Sequence, residues 1–163
     1  MNVSVQVLAK RLNHLENFMK ALIQRVSHAS VTVDQQTVGQ IEKGLLVFLG
    51  VEQTDDYGVA DKLLHKVLHY RIFPDDQGKM NIGLADSGGA LLIVSQFTIV
   101  ADTHKGLRPS FSAGATPALG EYLYNYFVEE AKKHCGYVAT GQFGADMQVS
   151  LVNNGPVTFM LEV

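Results

Sequence analysis

Two short apolar runs constrain the fold of this chain more than any other feature of its sequence. Residues 45–49 (LLVFL) and 90–94 (ALLIV) contain no polar side chain and have the length of a strand. A strand that is apolar on both faces is typical of the buried centre of a sheet. Residues 60–68, which lie between the two runs, have apolar side chains at helical spacing. The runs and this helix together predict a layered α/β domain.

Further strands are predicted on both sides of this centre, where residues are β-branched or alternate between apolar and polar. Their positions are 21–26, 30–33, 38–41, 148–152 and 157–161. Residues 34–37 are predicted to form a turn. The buried strand at 90–94 is expected to continue into residues 95–98.

The first helix is predicted from its end signals as well as from its spacing. It is expected to begin at Thr54, with Asp55 and Asp56 in the first turn, where the helix dipole favours acids. Its end is predicted before Pro74, because the residue before a proline avoids helical geometry. Its apolar face is expected to comprise Ala60, Leu63, Leu64, Val67 and Leu68.

The second helix has a similar set of signals. Thr116 is predicted to cap it, with Pro117 at the first helical position, and Gly136 is a suitable stop. Its packed stripe is expected to comprise Leu119, Tyr122, Leu123, Tyr126, Phe127 and Glu130.

The order of these elements predicts one domain. We expect a single layered α/β domain with mixed, mostly antiparallel β-sheets in a barrel-like arrangement and two main helices packed on one side. This domain is expected to span residues 19–163, which suits a chain of 163 residues better than two domains. Residues 1–18 are predicted to be a dispensable N-terminal extension, because Met19-Lys20-Ala21 has the character of a natural chain start.

Charge and composition exclude several classes of protein. The net charge is −3, and residues 1–18 hold two basic and one acidic side chain, so residues 19–163 carry −4. A protein that follows a duplex usually has a basic stripe, so we expect no DNA partner and only a small footprint on any nucleic acid. No apolar run approaches the roughly 20 residues of a membrane span, so no membrane partner is expected. The single Cys135 and the lack of a secretory signal indicate a cytoplasmic protein.

Three familiar kinds of site fit the sequence poorly. His65 and His69 have the spacing of zinc ligands on a helix, but the Glu that a metalloprotease needs between them is missing, and we favour a solvated helix face. Ser95, Asp102 and His104 are the residue types of a hydrolase triad, but Ser95 lacks the Gly-x-Ser-x-Gly turn. No glycine-rich motif for a dinucleotide or a nucleoside triphosphate is present. We therefore expect neither a metal ion nor an organic cofactor.

Two polar segments are better candidates for a functional site. The SQFT segment (Ser95-Gln96-Phe97-Thr98) follows a buried strand, at a point where a rigid support meets solvent. The NNGPVT segment (residues 153–158) separates the last two predicted strands. Its propensities alone indicate an ordinary hairpin turn, since few X–Pro bonds in folded proteins are cis.

Together the two segments resemble the paired signatures of the D-aminoacyl-tRNA deacylases. The likeness includes Ala101-Asp102 after the SQFT segment, the opening residues 19–26, and the stretch Arg108-Pro109-Ser110-Phe111. It extends from about residue 19 to residue 163, with the order and spacing of the motifs kept. Residues 1–18 depart from the pattern and have no counterpart in that family.

The resemblance implies a homodimeric editing enzyme. Its reaction would hydrolyse the ester that joins a D-amino acid, or a mischarged glycine, to the 3′-terminal adenosine of a tRNA. The Gly155–Pro156 peptide is implied to be cis and to reach from one subunit into the active site of the other, where its carbonyls leave no room for an L side chain. A backbone wall of this kind excludes one stereoisomer and lets glycine pass. The implied binding residues are Gly155, Pro156, Asn153, Val157 and Thr158, with Arg25 as the support of the loop.

Two accounts of catalysis stay open. Thr98 could act as the nucleophile, but no His, Lys or carboxylate lies beside it in the sequence. The resemblance implies instead that the 2′-hydroxyl of the terminal ribose helps to activate water. In that account Ser95, Gln96, Phe97 and Thr98 orient the substrate and stabilise the developing oxyanion. We favour the second account.

Two other functions compete with this interpretation. A small-molecule hydrolase would use Thr98 or Ser95 as its nucleophile and would cleave simple esters. A module that binds RNA ends would hold aminoacylated tRNA without turnover. Phe97 could contribute an aromatic face to an adenosine pocket, or it could belong to the core.

Overall fold

A computed structural model describes residues 18–163, so the predicted N-terminal extension lies outside the described residues except for Phe18. The elements in chain order are β1 (Lys20–Val33), β2 (Gln36–Ile41), β3 (Gly44–Gly50), α1 (Tyr57–His69), β4 (Phe73–Pro74), β5 (Met80–Ile82), α2 (Leu84–Ser87), β6 (Ala90–Ser95), a 3₁₀ turn (Phe97–Val100), α3 (Pro117–Lys132), β7 (Val138–Thr140) and β8 (Gln148–Glu162). None of the helices within residues 18–163 combines the length and the apolar character that a membrane crossing requires.

Six of the strands form one curved sheet that nearly closes into a barrel. Strands β2, β1, β3, β6 and β7 are neighbours in that order, and β8 pairs with β1. All pairs that involve β1 are antiparallel, whereas β3 with β6 and β6 with β7 are parallel. The ends β2 and β7 come so close that a Cβ on Gly39 would lie 2.1 Å from the carbonyl oxygen of Thr140, so only glycine fits there. The predicted fold class is confirmed.

Apolar side chains fill two cores, one on each face of the sheet. Helices α1 and α3 cover the first core, to which Leu45 and Leu91 belong. The second core lies inside the barrel and contains Leu46 and Leu92. Successive side chains of a strand point to opposite faces, so both central strands must be apolar throughout. Each fully buried leucine contributes roughly 1.5–3 kcal/mol to the burial that holds the layers together.

Helix α1 begins later than its sequence predicts. Asp56 is the N-cap, and its Oδ1 accepts a hydrogen bond of 3.0 Å from the amide of Val59. The helix therefore starts at Tyr57, and the prediction of a start at Thr54 is wrong. Asp55 lies before the cap and is buried, so it is not part of the exposed first turn. Asp56 is the cap because its carboxylate can reach an N–H of the first turn.

Helix α3 begins as predicted but buries a different stripe. Thr116 caps it by accepting a hydrogen bond of 3.3 Å from the amide of Leu119, and Pro117 is the first helical residue. The helix ends at Lys132, before Gly136. Tyr122 and Glu130 were expected in the packed stripe, but neither side chain is buried. The stripe is rotated by about one residue and comprises Gly120, Leu123, Tyr124, Phe127, Val128 and Ala131.

Strands β1 and β8 are each continuous where two strands were predicted. The predicted hairpin turn between 148–152 and 157–161 is wrong, because both halves of β8 pair with the same strand. Val26 lies opposite Asn153, and Gln24 lies opposite Thr158. The four residues between Asn153 and Thr158 therefore face a single residue of β1, Arg25, and they form a bulge in place of a turn.

Candidate functional site

The bulge of the NNGPVT segment is held by Arg25, the residue that faces it. The Arg25 Nε donates a hydrogen bond of 3.1 Å to the carbonyl oxygen of Asn154. Its Nη1 donates one of 2.7 Å to the carbonyl oxygen of Ile72, between α1 and β4. A guanidinium can make both contacts at once because its donors form a rigid planar fork. Arg25 thus ties the bulge to the segment that follows α1.

Asn153 closes the base of the same bulge. Its Nδ2 donates to the carbonyl oxygens of Arg25, at 3.1 Å, and of Val157, at 2.9 Å. The hydroxyl of Thr158 donates to Asn153 Oδ1 at 3.2 Å and accepts from Gln24 Nε2 at 3.2 Å. Side chains on both strands therefore fix the two ends of the bulge, so it is a built feature of the sheet. The residues named for chiral rejection and support all lie in this one cluster.

Gly155 occupies a backbone conformation that a side chain would disturb. Its φ is 126°, and the peptide that joins it to Pro156 is cis. A Cβ at Gly155 would lie 2.8 Å from Arg25 Nη2 and 2.8 Å from Val157 Cγ2. The positive φ and these two close atoms explain why the position is glycine.

The SQFT segment leaves the sheet at the end of β6. The amide of Gln96 still donates to the carbonyl oxygen of Leu49, at 2.8 Å, but the 3₁₀ turn begins at the next residue. The expected continuation of the strand to residue 98 is therefore wrong. The turn buries Val100, while Phe97 is 68% exposed. Burying Val100 brings the chain back to the core and leaves Phe97 and Thr98 on the surface.

The turn gives this segment two chemical features. The amides of Phe97 and Thr98 stand at its start, where N–H groups have no acceptor within the helix. The side-chain amide of Gln96 donates a hydrogen bond to Thr98 Oγ1. An amide donor orients a hydroxyl but cannot remove its proton, so this partner does not activate Thr98 as a nucleophile.

A pocket of about 500 Å³ opens beside the SQFT segment. Ser95, Gln96 and Phe97 line one side of it, the first turn of α3 and the 143–147 loop line another, and strand residues such as Leu49 and Val94 line its floor. Tyr124 lies in the wall, where its hydroxyl donates to the carbonyl oxygen of Ile93 at 2.8 Å. Burial raises the pKa of Tyr124 to about 12, so its hydroxyl stays neutral. A largely apolar pocket with a few polar groups at one side is typical of a small-ligand site.

The sequence predicted only one side of this pocket. Tyr124 on α3 and Phe143 after β7 contribute to the wall, with ring centroids 5.8 Å apart. They are distant in sequence from the SQFT segment, and nothing in their local sequence links them to it. Their place in the site depends on the closure of the barrel, which no local pattern reveals.

Within one chain, the pocket lies beside the C-terminal end of β3, whereas the bulge faces a residue of β1 that pairs with the N-terminal end of β3. Ser95 pairs with Leu49, and Leu49 pairs with Ala21. Arg25, which faces the bulge, pairs with Leu45. At about 3.3 Å per residue along a strand and about 4.8 Å between strands, the two sites are on the order of 20 Å apart. One chain alone therefore does not bring its two signature segments together.

The sites that fitted the sequence poorly do not assemble. Asp102 and His104 are paired, with Oδ1 and Nδ1 2.8 Å apart, and hydrogen bonds from His104 hold the pKa of Asp102 below its usual range. Ser95 makes no side-chain hydrogen bond with either of them in the part of the chain that the structure describes. The rings of His65 and His69 stack at 4.3 Å. Across residues 18–163, no group of three His, Cys, Asp or Glu side chains is placed to hold a metal ion.

Two buried carboxylates next to the pocket were not singled out by the sequence. Glu52 is 2% exposed and Asp55 is 6% exposed. The amide of Glu52 donates to Asp55 Oδ2 at 2.7 Å, and Lys20 Nζ lies 3.7 Å from Glu52 Oε1. Burial raises the pKa of both carboxyl groups to about 6. Neither side chain lines the pocket, although Glu52 directly follows Val51, which does.

Comparison with protein families and curated sequences gives consistent matches. A family model described as D-Tyr-tRNA(Tyr) deacylase matches residues 22–162. A D-aminoacyl-tRNA deacylase of Haemophilus ducreyi is 64% identical over 145 residues, which are 89% of this chain and 100% of that protein. A D-aminoacyl-tRNA deacylase of Stutzerimonas stutzeri is 62% identical over 144 residues, which are 88% and 99% of the two chains.

Solved structures share the fold. A structure described as c-Myc DNA unwinding element binding protein has a TM-score of 0.85 and 37% identity, and the match covers 88% of this chain and 98% of that one. A probable eukaryotic D-amino acid tRNA deacylase has a TM-score of 0.78 and covers 90% and 100% of the two chains. Its identity is 16%, so it bears on the fold alone.

Proposed function

The chain belongs to the D-Tyr-tRNA(Tyr) deacylase family, and we propose that it hydrolyses the ester bond of D-aminoacyl-tRNA, releasing the free D-amino acid and the tRNA. The observation that carries this is the 60–64% identity to curated D-aminoacyl-tRNA deacylases over 88–89% of the chain. The family match over residues 22–162 includes both signature segments. The chain is accordingly a hydrolase of the carboxylic ester class.

The pocket beside the SQFT segment is proposed to receive the 3′-terminal adenosine of the tRNA. Its volume of about 500 Å³ falls within the roughly 300–1,000 Å³ of small-ligand pockets. Phe97 offers an exposed aromatic face at its edge, which suits stacking with a base. This placement would bring the ester carbonyl to the SQFT segment, where the free amides of the 3₁₀ turn can donate to an oxyanion.

The SQFT residues are proposed to position the substrate, while the ribose supplies a reacting group. Thr98 receives a hydrogen bond from the Gln96 amide, which is not a base. The vicinal 2′-hydroxyl of the terminal ribose lies next to the ester in the substrate itself. It can help to activate the attacking water, so the protein would contribute orientation and oxyanion stabilisation. No metal ion or organic cofactor is required by this scheme.

The bulge of the NNGPVT segment is proposed to be the wall that rejects L-amino acids. Rejection by shape requires a wall that does not yield, and Arg25 and Asn153 donate hydrogen bonds to the bulge carbonyl oxygens of Asn154 and Val157 at 3.1 and 2.9 Å. Gly155 and Pro156 would present backbone to the α-carbon, with Val157 and Thr158 beside them. A backbone wall excludes an L side chain of any kind and accepts glycine, so glycine mischarged onto tRNA is a proposed substrate as well.

This arrangement requires a second copy of the chain. The bulge and the pocket of one chain are on the order of 20 Å apart, so the bulge of one protomer would enter the pocket of its partner. Strand β8 pairs only with β1 among the described strands, so its other edge is open. Val152, Phe159 and Met160 on β8 are 38–46% exposed; they lie on both faces of the strand beside this open edge, where a partner that adds to the edge would cover them.

Residues 1–18 are proposed to be dispensable for this function. The match to the Haemophilus ducreyi protein covers all of that protein with 145 residues. A chain that starts at Met19 should therefore deacylate D-aminoacyl-tRNA at the same rate as the full chain, and a large loss of rate would contradict this.

The decisive experiment compares deacylation of D-Tyr-tRNA and L-Tyr-tRNA by the purified full chain. Loss of the D-ester alone is the expected result. Cleavage of both esters would contradict the chiral wall. Binding without cleavage of either ester would favour a module that binds RNA ends. Cleavage of simple esters that lack tRNA would instead favour a small-molecule hydrolase with Ser95 or Thr98 as its nucleophile.

A further inference from the structure

A basic loop projects from the rim of the pocket. Asp102 and Ser110 pair through two backbone hydrogen bonds of 2.8 and 3.0 Å, which close the base of the 102–110 loop. Every residue of this loop is exposed. Gly106 provides a φ of 70° near the tip, and Leu107 beside it is fully exposed. The side chains at the tip therefore make no contribution to the core and are free to meet a ligand.

The chain on either side of this loop contributes to the wall of the pocket. The chain enters it from the 3₁₀ turn, whose Phe97 lines the pocket, and then reaches Ala115, which also lines it. Phe111, just beyond the loop, packs against Phe97 with ring centroids 5.4 Å apart. Three or four residues on each arm extend the loop by on the order of 10 Å at about 3.3 Å per residue. A chain-like ligand that leaves the pocket on this side would pass along the loop.

The loop is a local positive region on an acidic domain. Residues 19–163 carry a net charge of −4, yet Lys105 and Arg108 lie three residues apart on this exposed loop, whose one carboxylate, Asp102, is hydrogen-bonded to His104 at the base. Neither makes an ion pair within residues 18–163. By contrast, Lys132 at the end of α3 and Lys133 directly after it are paired with glutamates at 2.8 and 2.5 Å. The two loop cations are thus available to an anion that reaches the rim.

We propose that Lys105 and Arg108 bind backbone phosphates of the unpaired 3′ nucleotides that lead into the terminal adenosine. This inference rests on the proposed function, which places that adenosine in the pocket. Cations beside exposed aromatic rings are the combination that binds single-stranded nucleic acid, and Phe97 and Phe111 supply the rings at the base of the loop. The proposed contact with the tRNA backbone involves only two cationic side chains, which is consistent with the negative net charge of the domain.

The test uses the full chain and a matched pair of double variants. Lys105→Gln with Arg108→Gln removes the loop charges. Lys132→Gln with Lys133→Gln makes the same change in charge at the far end of α3, roughly 20 Å from the turn that lines the pocket. Equilibrium binding of uncharged tRNA is measured over a range of salt concentrations. Initial rates are measured on D-Tyr-tRNA and on D-tyrosyl-adenosine, which has no phosphate.

The loop variant should bind uncharged tRNA about tenfold more weakly, and its slope of log affinity against log salt should fall by about 1 to 2. Its KM for D-Tyr-tRNA should rise by a similar factor with kcat unchanged, while its rate on D-tyrosyl-adenosine stays as in the wild type. The α3 variant should match the wild type throughout. Unchanged tRNA affinity and salt slope in the loop variant would overturn the inference, as would an equal loss on D-tyrosyl-adenosine.

The two hypotheses fail separately in this design. If the wild type binds tRNA through the loop but cleaves neither substrate, the proposed function is wrong and the phosphate contacts stand. If the wild type cleaves D-Tyr-tRNA and the loop variant is indistinguishable from it in every assay, the function stands and the contacts are wrong.

Discussion

Arg25 and Asn154 are joined across an interruption in the β1–β8 ladder: the guanidinium Nε of the first donates to the carbonyl oxygen of the second at 3.1 Å. Here one residue of β1 faces four residues of β8, whereas in a regular ladder each residue faces one partner. The same guanidinium reaches the carbonyl oxygen of Ile72 at 2.7 Å. Arg25 therefore ties the bulge to the segment after α1, while Asn153 and Thr158 fix the two ends of the bulge.

Arg25→Lys should relax the discrimination between D and L substrates. Lysine keeps the charge but has one ammonium in place of the planar fork, so it cannot hold Asn154 and Ile72 together. We expect the ratio of D-Tyr-tRNA to L-Tyr-tRNA deacylation rates to fall at least about tenfold, with a loss of about 1–3 kcal/mol in the free energy of unfolding. Arg71→Lys, at an exposed position, is the control. An unchanged ratio would mean that Arg25 does not position the wall.

Thr98→Ala should leave most of the activity in place. The only hydrogen bond of the Thr98 hydroxyl within residues 18–163 comes from the Gln96 amide, which provides no base. We expect kcat on D-Tyr-tRNA to fall by less than about tenfold, whereas the loss of a true nucleophile costs on the order of 10⁴–10⁶. Single-turnover rates on intact tRNA measure this directly. A loss of about 10⁴-fold or more would indicate that Thr98 is the nucleophile.

Removal of the substrate 2′-hydroxyl should slow the reaction more than any single substitution in the SQFT segment. We expect D-Tyr-tRNA ending in 2′-deoxyadenosine to be cleaved about 10²–10⁴ times more slowly, the range of a group that assists proton transfer. The affinity for this tRNA should change little. A 2′-deoxy substitution at the preceding nucleotide is the control. Equal rates on the two substrates would exclude assistance by the terminal ribose.

Met160→Lys should dissociate the proposed dimer and abolish deacylation together. Met160 is 45% exposed on β8, so a charge there costs little in a monomer and much in a covered interface. Sedimentation should show the mass of one chain, with circular dichroism unchanged. Tyr137→Lys, at a position that is 56% exposed outside β8, should leave mass and rate as in the wild type. A monomeric variant with full activity would show that the site is complete within one chain.

The contribution of Glu52 and Asp55 to the stability of the fold should decrease as the pH rises from about 4 to 6. Burial raises the pKa of Glu52 from 4.5 and of Asp55 from 3.8 to about 6. In that interval the folded chain binds more protons than the unfolded chain, so the contribution of this pair to the free energy of unfolding falls with pH. Glu52→Gln should make the decline shallower by on the order of 2 kcal/mol. Urea unfolding at several pH values measures this change, and Glu121→Gln at an exposed position is the control. Identical slopes of unfolding free energy against pH in Glu52→Gln and in the wild type would contradict the prediction.

The elements that local patterns specify were predictable from the sequence. The cap and first residue of α3 follow from Thr116 and Pro117, because both act through the neighbouring backbone. The buried strands β3 and β6 follow from their apolar runs. Strand β8 was not predictable, because Gly155 and Pro156 have the propensities of a turn, and only the pairing of both flanks with β1 makes the segment a bulge.

The candidate site shows the same division. The SQFT and NNGPVT segments were recognised from sequence, but their separation within one chain depends on strand register, which local patterns do not specify. The turn at Phe97 was missed because its cause, the burial of Val100, is tertiary. Glu52 and Asp55 were missed because nothing in a sequence distinguishes a buried carboxylate from an exposed one.

The two-sided pairing of β8 also determines which changes in chain length the protein can absorb. An added or deleted residue in either paired flank of β8 would turn its alternating side chains to the wrong face of the sheet. A change within 154–157 would leave Asn153 and Thr158 opposite Val26 and Gln24, so its effects would fall on the bulge and on the hydrogen bonds that hold it. The sheet can thus absorb an insertion or deletion within the bulge without disturbing the paired flanks of β8. Such a change would alter how far the bulge projects from the sheet.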